Sequence, residues 1–87
     1  MVNPIVSIDV AKGKSVAAAF LSHGEIVQKP FSFSHSLDGL EPVLSLLQHL
    51  ESMTKVKPSI VLEATGHYSK NLISHFHALG YPVVILN

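Results

Sequence analysis

The sequence predicts one mixed α/β domain with elements in the order β-β-β-α-β-α-β and a five-stranded sheet ordered 3-2-1-4-5. Three observations lead there. Two glycine turns, Lys12-Gly13-Lys14 and His23-Gly24, divide the first third into hairpin-linked strands. A long stretch around Leu40–Met53 repeats apolar residues at three- and four-residue steps. Short β-rich runs then alternate with a second helical stretch, the pattern of parallel strands joined by crossovers. Hairpins make the first three strands antiparallel neighbours, and a right-handed crossover sets the fourth parallel to a central first strand.

Each element has its own justification. Ile5 to Val10 is β-rich and apolar on both sides, which predicts a central strand covered on both faces. Ser15 to Leu21 is the second strand; its alanine run favours helix by propensity, but the two glycine turns leave too little room for one. Glu25 to Ser34 is the third, and Pro30 inside it, lacking an N–H, assigns it to a sheet edge or a bulge. Ser36 or Asp38 caps the first helix, Asp38 and Glu41 have capping-box spacing, and Pro42 is expected in the first turn. Leu40, Val43, Leu44, Leu47 and Leu50 form its apolar face, widened by Leu46 and Met53, and Lys55 to Pro58 ends it. Ser59 to Glu63 is a short buried strand, broken by Ala64-Thr65-Gly66. A helix from about His67 to Leu79 follows, with Tyr68, Leu72, Ile73, Phe76 and Leu79 on one side and Gly80 as its stop signal. Pro82 to Leu86 is the last strand.

Composition narrows the function classes. At 87 residues the chain is one folding unit, and a 47% hydrophobic content excludes a disordered chain. Six lysines and no arginine balance six acids, which argues against a free-standing nucleic-acid binder but not against a nucleic-acid enzyme whose basic parts lie elsewhere. Cysteine is absent, so disulfides, zinc ribbons and thiol nucleophiles are excluded. Neither a signal peptide nor a membrane-spanning segment is legible, and the expected setting is the cytoplasm, away from any membrane.

Two acids stand out. Asp9 and Glu63 are each a lone carboxylate at the C-terminal end of an otherwise apolar strand. If those strands are parallel neighbours, the acids meet at the edge where open α/β sheets bind ligands. Two carboxylates there repel unless a cation lies between them or one keeps its proton. Mg²⁺ suits such a place, since it takes hard oxygen ligands and often only one or two carboxylates. The plainer alternative pairs Asp9 with Lys12 or Lys14 and holds Glu63 on the N–H groups of Thr65 and Gly66. The segment Thr65-Gly66-His67-Tyr68 opens the second helix, and with Lys12 it is a candidate phosphate or nucleic-acid contact. The other histidines, His23, His35, His49, His75 and His77, show no ligand spacing, and Ser15, Ser59, Ser69 and Ser74 show no paired base.

Ile5 to Lys12, Val61-Leu62-Glu63-Ala64-Thr65-Gly66-His67-Tyr68 and Gly80-Tyr81-Pro82-Val83-Val84 together resemble the start of the DEDD-type insertion-sequence transposases. These are bridge-RNA-guided recombinases with a RuvC-like N-terminal domain. The resemblance implies a ribonuclease-H-like fold, incomplete at its C-terminus. It also implies four acids that hold Mg²⁺ or Mn²⁺ for DNA strand cleavage and transfer. Asp9 matches the first acid and Glu63 the second; the third and fourth belong to a downstream Asp-x-x-Asp segment that these residues do not include. DNA and a guide RNA are the implied partners of the full-length protein, and the 87 residues alone are expected to be inert. An actin-like or sugar-kinase-like ATPase lobe is the alternative, weakened because only Gly13 follows the first acid. A non-catalytic assembly module is another, and a homo-oligomer through an exposed sheet edge or apolar helix faces is expected.

Overall fold

The computed structural model describes residues 3–64 and 69–86, with the side chain of Ala64 left aside. Strands β1 (Pro4–Val10), β2 (Lys14–Leu21) and β3 (Ile26–Ser34) are followed by helix α1 (Leu37–Thr54), strand β4 (Ser59–Ala64), helix α2 (Lys70–Ala78) and strand β5 (Val83–Leu86). The sheet runs β3-β2-β1-β4-β5, as the sequence predicts. β1 pairs antiparallel with β2 and parallel with β4, and β5 is parallel to β4. β3 is an edge strand with register shifts against β2 between Ala17 and Phe20, in keeping with Pro30.

Both helices lie on one face. The chain moves across the sheet in one direction, from β3 to β4 and on to β5, and right-handed crossovers then put α1 and α2 on the same side. Alternation along the strands follows from this. Val6, Ile8 and Val10 of β1 and Ile60 and Leu62 of β4 are buried against Leu40, Val43, Leu47 and Leu50 of α1 and Leu72 and Phe76 of α2. The expectation that β1 is covered on both faces is therefore corrected. Its other face carries Ile5, Ser7 and Asp9, which are partly or fully exposed. Exposed apolar side chains remain on the sheet, at Val16, Ile26, Val84, Ile85 and Leu86, and at the helix ends, at Leu37, Met53 and Leu79.

The helix ends also differ in detail from expectation. Ser36 is the N-cap of α1, its Oγ accepting from the Gly39 N–H at 3.0 Å, so the spacing of Asp38 and Glu41 is not a capping box. With the helix starting at Leu37, Pro42 is interior to it rather than in its first turn, and the bond it cannot donate would have gone to Asp38. Lys55 closes α1 in the left-handed region at φ 63°, its N–H reaching the Glu51 carbonyl at 2.8 Å. The second helix begins at Lys70 with Ser69 before it, not near His67. The expected N-cap Thr65 and the apolar-face residue Tyr68 lie outside the described residues. Gly80 has φ 87° after α2, the left-handed stop the sequence predicts. Leu79 and Met53 are substantially exposed rather than part of the core.

Candidate active site

β1 enters the sheet as an apolar central strand and ends on Asp9-Val10; β4 ends on Glu63-Ala64. Their parallel register sets Asp9 directly beside Glu63. Adjacent strands lie about 4.8 Å apart, so the two backbones hold these residues side by side at one end of the sheet. Val10, next in sequence to Asp9, is buried under the helices, so alternation turns Asp9 to the opposite, open face, and its ladder partner Glu63 shares that face. Both acids are exposed.

They line one cavity of about 300 Å³. Ser7, Val16, Phe20 and Leu86 contribute to its walls, so the acids form the polar end of a largely apolar trough. Among the described residues neither acid has a lysine partner; the ion pair found there joins His23 Nε2 to Glu25 at 3.5 Å. The plainer alternative in which Lys12 or Lys14 neutralises Asp9 thus finds no contact. Lys12 is exposed in the turn after β1, at the same end of the sheet as Asp9. The other candidate contacts, Thr65, Gly66, His67 and Tyr68, lie outside the described residues.

Two carboxylates supply hard oxygen donors, the chemistry a divalent cation such as Mg²⁺ takes. Among the described residues no group of three or more His, Asp or Glu side chains is placed to hold an ion.

Sequence reasoning missed a polar cluster on the helix side of the same end. Ser15 has an imidazole partner after all: its Oγ lies 2.7 Å from His35 Nε2 and accepts from the Ala11 N–H at 3.4 Å. At 1% exposure the hydroxyl is closed to an external substrate, so the pair fastens the β1–β2 turn to the end of β3 rather than acting as a nucleophile. Twenty residues separate the two, and only the hairpin register brings them together.

A protein-family profile described as transposase, of the IS110 DEDD type, matches residues 6–87. No curated protein matches the chain. Among the described residues no helix is long and apolar enough to cross a membrane. The matched span takes in all but the first two residues of β1, the other four strands of a sheet with the ribonuclease-H-like order and both helices, and on that span the chain belongs to the DEDD transposase family of IS110 elements.

Proposed function

We propose that this chain supplies the first two carboxylates of a metal-dependent site for DNA strand cleavage and transfer. The observation that carries the reading is the side-by-side register of Asp9 and Glu63 on the open face of a parallel strand pair. Asp9 and Glu63 hold Mg²⁺ or Mn²⁺. A divalent ion bound there would offset charge on a phosphodiester oxygen. Lys12, exposed in the adjoining turn, attracts the same backbone, and the segment Thr65-Gly66-His67-Tyr68 adds further phosphate contacts. DNA and a guide RNA are the partners of the full-length protein, working in the cytoplasm. The site requires two more acids than these strands provide, so residues 1–87 alone do not cleave DNA. The turn after β1 holds a single glycine, Gly13, and gives an ATPase reading no phosphate loop to build on.

Mn²⁺ titration of the ¹⁵N-labelled chain tests the reading. Paramagnetic broadening should centre on residues near Asp9 and Glu63 and disappear in both Asp9→Ala and Glu63→Ala. Broadening centred elsewhere, or unchanged in the two variants, would remove the shared ion and the proposed chemistry with it.

A further inference from the structure

We propose that a second cavity, on the helix side of the same sheet end, receives one unstacked nucleobase of a single-stranded nucleic acid. This rests on the nucleic-acid reading above but uses none of the acidic residues. The cavity has a volume of about 220 Å³ and is lined by His35, Leu37, Leu40, Asn71, Leu72 and His75. Leu37 and Leu40 come from the start of α1, and Asn71 to His75 from α2, the helix that follows the strand bearing Glu63. The His35 N–H donates to the Gly13 carbonyl at 3.4 Å, so the cavity adjoins the turn that carries Lys12 and Lys14.

The lining selects the ligand by chemistry. Among the described residues it contains no Lys, Asp or Glu, so no permanently charged side chain faces the group that enters, which suits a neutral ring better than a phosphate. Three leucines and two imidazoles provide apolar and π surfaces of the kind on which unstacked bases settle. Asn71 adds a carboxamide whose donor and acceptor lie side by side, the pattern that matches the N6/N7 edge of adenine. The volume falls below the roughly 300 Å³ at which pockets for drug-sized ligands begin, which suits one ring system rather than a whole nucleotide.

Two further observations point the same way. The His35 ring is fixed by its 2.7 Å contact with the Ser15 hydroxyl, so one wall is preorganised. His75 Nε2 is buried with no hydrogen-bond partner among the described residues. Buried polar atoms are rarely left unmatched, and rotation of the half-buried His75 ring as a base enters would bring this one to a polar base edge. Lys12 and Lys14, both exposed, stand ready for the flanking phosphates.

The test compares a short oligodeoxyadenylate with an abasic oligomer of the same length and charge, by fluorescence anisotropy at fixed salt. The wild-type chain should bind the adenylate about tenfold more tightly, the scale of one well-formed amide–base pair. Asn71→Ala, at an exposed position that leaves folding intact, should abolish that ratio, while Lys12→Ala should weaken both oligomers alike. Equal wild-type affinity for the two oligomers, or a ratio unchanged in Asn71→Ala, overturns the base pocket and leaves the nucleic-acid reading standing on phosphate contacts. Failure of the wild type to bind either oligomer overturns the base pocket too, and leaves the nucleic-acid reading to the Mn²⁺ titration.

Discussion

Like charges on neighbouring strands oppose folding, and a site that keeps them does so at a cost in stability. Asp9 and Glu63 are ladder neighbours with no cationic partner among the described residues. Opposed like charges on a sheet cost roughly 0.2–1 kcal/mol. Asp9→Asn should therefore raise the metal-free stability by about 0.5 kcal/mol in urea titrations. Saturating Mg²⁺ should stabilise the wild type and not the variant, which reverses or cancels the gain. A variant no more stable than wild type in metal-free buffer would mean the carboxylates do not feel one another. Tyr81 shows a different balance. Burial, with a smaller contribution from the Glu51 carboxylate, raises its phenol above the ordinary value of 10.0. The folded state then holds this proton more tightly than the unfolded chain, so the associated stability is complete below pH 10 and is lost as pH rises beyond it. The Lys57 ammonium lies 4.6 Å from the Tyr81 ring centre. Tyr81→Phe should lose less stability than wild type between about pH 9 and pH 11, as read by denaturation midpoints. Parallel pH curves for the two proteins would refute the assignment.

Single elements show where local sequence rules suffice and where they do not. The apolar spacing of Leu40, Val43, Leu47 and Leu50 locates α1 because one helix face must be buried, and all four are in the core. Pro30 identifies β3 as an edge strand because a proline cannot serve a ladder on both sides. Helix starts are less legible, since several residues can cap and tertiary contacts choose among them. Ser36 is selected over Asp38 because α1 docks tightly on the end of β3. There Gly39 faces Ser34, and a Cβ at Gly39 would run into the Ser34 carbonyl and side chain. Backbone cannot yield as a flexible side chain can, so Gly39→Ala should destabilise by about 1–3 kcal/mol despite alanine's better helix propensity. Thermal unfolding measures this directly, and a neutral or stabilising substitution would show that α1 is free to move away from β3.

For the molecule as a whole, strand order and the meeting of Asp9 with Glu63 were legible because handedness and hairpin connectivity leave few topologies open. The one-sided helix layer follows from the same rule, yet the apolar run of β1 masked it, since Ile5 reads as core whether or not anything covers it. The His35–Asn71–His75 cavity was not legible, because its residues come from two stretches, 35–40 and 71–75, that only the tertiary fold brings together. The two sheet edges also differ in a way that bears on assembly. β3 carries Lys29 and Pro30, which blunt an edge against pairing, whereas β5 reads Val83-Val84-Ile85-Leu86 with no charge or proline. Val84, Ile85 and Leu86 are 49%, 50% and 47% exposed, next to the open apolar face. An apolar edge of this kind, uncovered among the described residues, is a template on which another copy can pair. Sedimentation at high concentration should show the 87-residue chain above monomer mass. Val84→Lys, at a half-exposed position where a lysine costs the fold little, should return it to monomer. A wild-type chain that stays monomeric, or an assembly that survives the lysine, would show that β5 is not the contact.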